Sequence, residues 1–525
     1  MTDRRMMRSA ADRVFKTMWD RRLRKEKEWK AYRDNFAPSR GCFREGEAED
    51  LKKKSALRKN SAPFKILEES AAGMQSGLAS PGRSWFTLAP ANTRLRTVES
   101  VKSYIGVCEE VISAQMLATN FYDSFSDLQE EQLAFGTGAM FIEEDEDDVF
   151  ICRTMTIGEY AIGTDSKGRV NRFARIMLFT LQQLAEEFGV GVLPPELQSE
   201  IKTRETRGSG ETHRVCHLIQ PNREYEADIP GPRGMNWQSL WWLEGREKPD
   251  FLRVSGYEEF PVIVGRWKVV GSDIYGRKHP GEQALDDAVT LQMMEMDSRR
   301  AVEKTVAPPL LAPKMLKQGF RPKPNDVTWY DPVSGGPPVI SSLYNVNFNF
   351  EAAEMKIERL RMQIERAFYV DLFRMWSAVK RQGLTATQVE AEDTEKAYIL
   401  TPVIMRQTSE ILDPAIKRIF SIMLRAGRFP PPPSELEYEA VKIEYVSEFA
   451  LLQKRASQRG LDTLLYFTER LAAMQAGAGQ PPNVLDMIEP DDIIEFVSEM
   501  YAVKSGIVLG DDAVAAVREE RARKE

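Results

Sequence analysis

Residues 271–384 constrain the fold more than any other stretch of the chain. They read as a helix, a proline-rich β excursion, a second helix and a short basic turn. The first helix is expected over 281–306. It stops at Pro308-Pro309, because proline lacks the amide proton and clashes with the preceding turn. The excursion, 307–349, carries eight prolines and the β-prone runs Val327-Thr328-Trp329-Tyr330 and Val339-Ile340. The second helix is expected over 351–373, with Ile357, Leu360, Ile364 and Phe368 at helical spacing. At 1.5 Å per residue it would span about 35 Å. Two helices joined by a small β module make a poor enzyme core. They suit a wedge in a closed ring, where neighbouring copies bury the faces that one copy leaves open.

Length and composition set the outer limits. The chain has 525 residues, 42% of them hydrophobic, which predicts more than one folded region. No apolar run approaches the roughly 18 residues of a membrane helix. The opening MTDRRMMRSAADRVF has basic residues but no apolar signal core. Cys42, Cys108, Cys152 and Cys216 are far apart and read as thiols in a reducing cytoplasm, not as a disulfide frame. Net charge is −7, yet residues 1–65 hold 20 Lys/Arg against 10 Asp/Glu, a balance of +10. A basic front can mean nucleic acid. Here both signs mix over 12–34, and Phe15, Trp19, Trp29, Tyr32 and Phe36 supply one buried stripe, so the segment reads as a solvated helix face.

The coarse pattern is α+β and mainly helical. Helices are expected over 10–36, 50–78 and 97–123. A further one over 128–135 is stopped by Gly136-Thr137-Gly138. A short strand covers 85–88. The middle is β-rich, with strands expected at 139–142, 149–154, 169–179, 215–219, 239–243, 251–254 and 262–269, one helix at 180–188, and a hairpin turn at Asp165-Ser166-Lys167-Gly168. A long helix over 385–426 opens with a Thr385/Gln388 capping box and is kinked by Pro402 and Pro414. A strand at 438–445 and helices at 447–476, 490–504 and 511–523 complete the chain.

Catalytic chemistry is hard to place. No Gly-Lys dipeptide occurs, so there is no GxxxxGK[ST] phosphate loop. His213, Cys216 and His217 are close in sequence, but in a strand the two histidines share one face and the cysteine points to the other. No second cluster completes a tetrahedral metal site. The six consecutive acids at 143–148 could hold divalent ions for phosphodiester cleavage. Between two strands they form a hairpin tip and fan outward. No catalytic residue, metal ligand or cofactor is assigned. The turn FRMWSAVKRQG, 373–383, differs, for it holds Arg374, Lys380 and Arg381 without an acid, beside Trp376. Cations next to an aromatic ring can meet phosphates and bases. In a single copy the preferred reading is a plain loop with a packed Trp376 and solvated cations; in a ring each cation becomes a charged hoop.

Several segments carry a resemblance. SGLASPGRSWFTL (76–88), LAFGTGAMFIEED (133–145), the run 260–294 with Tyr275-Gly276 and Pro280-Gly281, and GLTATQVEAE (383–392) resemble, in order and spacing, motifs of the portal, or head-to-tail connector, proteins of short-tailed bacteriophages. The match covers about 10–450. His279 departs from it, standing where the family often has a small residue. The resemblance implies a dodecameric ring at one capsid vertex of the virion, assembled in the host cytoplasm. It implies a wing (1–280), stem helices (281–306 and 350–373), a clip (307–349), a tunnel loop (374–384), a kinked helix with a wing strand (385–446) and a crown (447–525). Arg374, Trp376, Lys380 and Arg381 would line a channel for double-stranded viral DNA, held without sequence specificity. Implied partners are a terminase packaging motor, capsid and scaffolding proteins, and tail adaptor or nozzle proteins, with no membrane and no enzymatic activity. Two alternatives stand beside it: a virion metal-dependent nuclease built on 143–148, and a non-portal ring or scaffold, which needs no cations facing an axis.

Overall fold

The charged front segment does not form one helix over 10–36. In the computed structural model it forms α1 (Thr2–Leu23) and α2 (Glu26–Phe36), turning at Arg24-Lys25. The structure describes residues 2–43, 60–82, 84–96, 98–204, 212–226, 229–246, 250–307, 310–313, 327–330, 341–342, 348–377, 400–436, 441–445, 448–477, 481, 483–487, 489–501 and 511–524. The break at Arg24-Lys25 reflects where two apolar stripes go. Ala11, Phe15 and Met18 of α1 join Cys216, Leu218 and Trp242 in a small core. Trp29, Tyr32 and Phe36 of α2 enter the main core instead. One straight helix cannot serve both surfaces.

Next come α3 (Ala62–Leu78) and β1 (Phe86–Pro90); the first part of the helix expected over 50–78 lies outside the described residues. The helix expected over 97–123 is two, α4 (Glu99–Ala118) and α5 (Phe121–Phe135). Asn120 makes the break useful. Its side chain donates to the Cys152 carbonyl (2.7 Å) and accepts from the Cys152 amide (2.9 Å), satisfying a strand edge.

The middle holds β2 (Thr137–Asp145), β3 (Val149–Met155), β4 (Tyr160–Thr164), β5 (Val170–Thr180), α6 (Leu181–Phe188), α7 (Pro195–Arg204), β6 (Thr212–Pro221), β7 (Trp237–Leu243), β8 (Arg253–Tyr257) and β9 (Val262–Arg266). They build two antiparallel sheets, ordered β3-β2-β9 and β4-β5-β6-β7-β8. Neither β4 nor α7 is foreseen from sequence, since β4 is short and flanked by Gly158 and α7 begins behind Pro194-Pro195. The hairpin at Asp165 is as expected: its carboxylate accepts from the Lys167 and Arg169 amides (both 2.8 Å), and Gly168 takes φ +77°.

The corner between α5 and β2 sets the direction in which the chain leaves the sheets towards the next long helix. Gly136 ends α5 in the left-handed conformation, φ +79°. Its carbonyl accepts from the Trp267 amide (2.8 Å), and the Thr137 hydroxyl oxygen accepts from the Gly276 amide (2.8 Å). An ideal Cβ on Gly276 would stand 1.9 Å from the Gly136 oxygen, and one on Gly281 would stand 2.5 Å from the Ala134 oxygen. Buried His279 completes the corner. Its Nδ1 accepts from the Glu282 amide (3.2 Å), capping a single turn, Pro280–Gln283.

From there the chain leaves as α8 (Leu285–Val306), which starts after the expected 281 because that capped turn precedes it. In the excursion, β10 (Leu310–Pro313) lies between a parallel β11 (Val327–Tyr330) and an antiparallel β12 (Ser341–Ser342). The chain returns as α9 (Phe350–Ala367), packed on α8, and continues as α10 (Val370–Ser377). Helix α11 (400–407) passes through a π-helical turn, Thr408–Leu412, into α12 (Asp413–Arg425). The Thr385/Gln388 box lies outside the described residues. β13 (Val441–Tyr445) pairs antiparallel with β1, and α13 (Glu448–Gly477), α14 (Pro490–Tyr501) and α15 (Asp511–Lys524) end the chain.

The corner can be tested in two ways. Gly276→Ala should lower the unfolding free energy by about 3 kcal/mol or more, read by urea denaturation. Gly191→Ala, where an added Cβ meets nothing within 4 Å, should stay within about 1 kcal/mol of wild type. Burial lowers the His279 pKa to about 3. The unfolded chain therefore binds a proton that the folded chain refuses, and stability falls as pH drops from about 6.5 towards 3. Between those limits wild type should lose about 1.4 kcal/mol per pH unit more than His279→Asn, which keeps a capping side chain. Parallel pH slopes would refute the assignment.

Candidate DNA-channel segment

The segment expected to face a channel is rooted at both ends in buried structure. Upstream, α9 stops at Phe368, and Tyr369 takes φ +60°, a backbone that a bulky residue adopts only when it is held there. Helix α3 holds it. The Ser70 hydroxyl donates to the Phe368 carbonyl (2.7 Å). Gly73 lets the Phe373 ring lie against α3, since an ideal Cβ there would be 2.3 Å from Phe373 Cγ. The second stem helix is therefore not one rod over 351–373, and 374–377 are helix rather than loop.

Arg374 thus stands in α10. Its Nε and Nη2 grip both oxygens of Glu69 (Nη2–Oε2 2.7 Å), and Nη1 lies 3.3 Å from Glu365. The hydrogen bond to Glu69 is the chief cause of its raised pKa. With Asn60, Ser61, Lys65 and Arg361 these groups line a cavity of about 270 Å³. The expectation of a loop cation without acids is corrected here: two carboxylates of the same chain answer Arg374. The backbone of Trp376 belongs to α10. Its side chain, Lys380 and Arg381 lie outside the described residues.

Downstream, Pro414 has no amide proton for the helix ladder, and the helix widens into the π turn just before it. Glu410 in that turn accepts from Arg266 through its backbone amide (2.9 Å), Nε (3.1 Å) and Nη2 (2.6 Å), and from Arg406 Nη1 (2.8 Å). Arg266 is 4% exposed and also donates to the Gly168 carbonyl (3.0 Å). Gly265 permits the approach, because an ideal Cβ would come within 2.3 Å of Ile411. Gln407 donates to Gln132 (2.7 Å) beside it. Glu69, Ser70, Gly73, Arg266 and Glu410 are absent from the sequence-based candidates. The only signals were a glycine inside a helix and a proline at 414.

The other candidates resolve differently. His217 is buried, and its Nδ1 accepts from Arg175 Nε (3.0 Å) while Nε2 meets Ser239 Oγ (2.9 Å). Nδ1 is thus the acceptor, and Nε2 carries the proton and donates to the serine, so this pair cannot activate that hydroxyl. Burial and then the Arg175 charge push the His217 pKa well down. Cys216 faces the α1 core as alternation predicts. Of the acids at 143–148, the first three lie in β2 rather than at the tip, and Glu144 pairs with Arg425 (2.6 Å). Among the described residues no three His, Cys, Asp or Glu side chains converge as metal ligands, and no helix is long and apolar enough to cross a membrane.

Comparison with known proteins adds what geometry alone does not. The family model described as bacteriophage head to tail connecting protein matches residues 8–508. The chain belongs to this family. It is 32% identical over 454 residues to the portal protein of Salmonella phage epsilon15, covering 86% of this chain and 80% of that one. It is 31% identical over 509 residues to the probable portal protein of Bordetella phage BPP-1, covering 95% and 89%. Among solved structures it is similar to a chain in the neck of an empty GTA particle computed with C6 symmetry (13% identity, TM-score 0.36, 81% of this chain and 91% of that chain). It is also similar to one in the virion of a native gene transfer agent particle (12%, TM-score 0.33, 79% and 94%). The resemblance carried by 76–88, 133–145, 260–294 and 383–392 is borne out at the level of the family.

The two anchors of this connector should differ in weight. Glu410→Ala strands a buried guanidinium and should cost about 3–5 kcal/mol in urea unfolding. Arg374→Ala breaks a half-exposed pair and should cost about 1 kcal/mol or less.

Proposed function

We propose that the chain is a portal subunit: copies close into a ring at one capsid vertex, and double-stranded viral DNA enters and leaves through its channel. Membership of the connector family across 8–508 carries the reading. The stem-clip-stem order gives it a mechanism. Helices α8 and α9 leave Met293, Val302, Val306, Met355 and Met362 exposed, faces that neighbouring copies would cover. The ring is a dodecamer, with 1–280 as wing, 307–349 as clip, 378–384 as the tunnel loop that α10 leads into, and the helices after 447 as crown.

The physics suits passage rather than recognition. Sliding DNA tolerates no tight base contacts, and a chain of net charge −7 repels phosphate over most of its surface. A few cation hoops, Lys380 and Arg381, steer the duplex; Trp376 anchors the loop. Chemical work falls to a separate terminase motor docked on the clip, which tail adaptor or nozzle proteins later replace, while capsid and scaffolding proteins grip the wing. Neither alternative has a supporting observation, since Glu144 of the acid run is occupied by Arg425.

Light scattering and end-on negative-stain images of the purified chain should show a closed ring; a monomer or dimer at every concentration would sink the proposal. Lys380→Ala with Arg381→Ala should spare the ring and reduce the fraction of DNA-filled heads. Full packaging and retention by that double variant would make the loop structural only.

A further inference from the structure

The basic front segment, read from sequence as a merely solvated face, has a more definite geometry in the fold. Helix α1 lies on the five-stranded sheet through Ala11, Phe15 and Met18. Residues advance by about 100° around a helix, so Arg13 points directly away from that buried stripe. Lys16 and Arg21 flank Arg13 on the outward side, Arg24 follows in the turn that ends the helix, and all four are exposed. Asp20 is the single acid on this face between Arg13 and Arg24.

Around these four, the carboxylates of Asp12, Glu26 and Glu28 are engaged by other cations, which leaves Asp20 as the acid within the row. Asp12 holds the inward Arg8 (2.6 Å). Glu26 holds Lys30 (2.5 Å) and lies 3.7 Å from buried Arg22. Glu28 serves Arg277 (2.9 Å) and Lys25 (3.3 Å). Among the described residues, Arg13, Lys16, Arg21 and Arg24 form no ion pair. Some exposed arginines elsewhere are matched, as Arg214 is by Glu244, Arg253 by Glu187 (2.8 Å) and Arg374 by Glu69; others, such as Arg359 and Arg428, form no ion pair among the described residues, but they do not stand four to a face with Lys16. An unmatched row on one face of an otherwise acidic chain marks a polyanion surface.

We infer that the outward face of α1 is a second DNA-binding surface, which takes the phosphate backbone of double-stranded DNA outside the channel. The inference rests on the portal reading only in placing such DNA within reach. Thr17 lies between the cations and Ser9 just before them, and the exposed Met6 and Leu23 stand towards the two ends of the helix, so the centre of the face is polar where a protein partner would need it apolar. From Arg13 to Arg24 it runs about 16 Å, over which duplex DNA offers about ten phosphates. Contacts of this kind position a backbone and read no sequence.

The test uses the full-length ring and covalently closed circular DNA, which cannot thread a closed channel. Fluorescence anisotropy or gel shift would be measured over a salt series for wild type, for Arg13→Glu/Lys16→Glu/Arg21→Glu/Arg24→Glu, for the conservative Arg13→Lys/Arg21→Lys/Arg24→Lys, and for Lys380→Ala/Arg381→Ala. Wild type should bind the circle. The charge-reversed variant should bind at least about tenfold more weakly, with the slope of log affinity against log salt reduced by about 3 to 4. The lysine and loop variants should bind it like wild type. Light scattering on each sample keeps ring assembly separate from DNA binding, so a failure here leaves the portal reading standing. Binding of linear but not circular DNA, or equal binding of circles by the charge-reversed ring, would overturn the inference. So would loss of capsid incorporation with circle binding unchanged, the result expected if an acidic protein were the partner.

Discussion

Backbone contact at three glycines, Gly136, Gly276 and Gly281, is the constraint from which the architecture hangs. The end of α5 and the approach to α8 touch so closely that a side chain carbon at Gly276 would overlap a carbonyl oxygen, 1.9 Å away. Such contact transmits position without slack, because no rotamer can absorb an error. The sheets and helices α8 and α9 are therefore one mechanical piece at this point. Thr137, Trp267 and His279 add hydrogen bonds, but the glycines make the approach possible.

The same logic explains what was legible in the sequence. Both glycine-rich runs at the corner could be recognised, because glycine and proline act locally and leave a mark. Their mutual contact could not, since 139 residues separate Thr137 from Gly276. Strands of the meander were readable from alternation. Helix lengths were overestimated wherever tertiary demands cut a periodic run, at Arg24-Lys25, at Asn120 and at Tyr369. In each case the helical pattern continues through the break, and the deciding partner lies far along the chain: two separate cores, the Cys152 edge, and Ser70 with Gly73. Arg374 failed for a related reason. A window of sequence without acids says nothing about Glu69, 305 residues away.

Charge is arranged in two regimes. Buried guanidinia of Arg266 and Arg418 meet carboxylates at 2.6 Å and tie remote elements together. In that setting a lost partner is severe, because the remaining charge has no water to fall back on. At the surface of α1 the cations stand without partners, and their attraction extends into solvent with a range set by salt. Buried arginines answered inside the fold supply cohesion, and a row of exposed cations on α1 supplies reach.

The seat of Phe373 on Gly73 has a bearing on heredity. Because the ring occupies the space where a side chain at position 73 would begin, the two sites cannot drift independently. A larger residue at 73 is viable only with a smaller one at 373, and the intermediate carries an open cavity or a clash. The left-handed turn at Tyr369 depends on the same seat. The point of departure of α10 changes only by paired substitution.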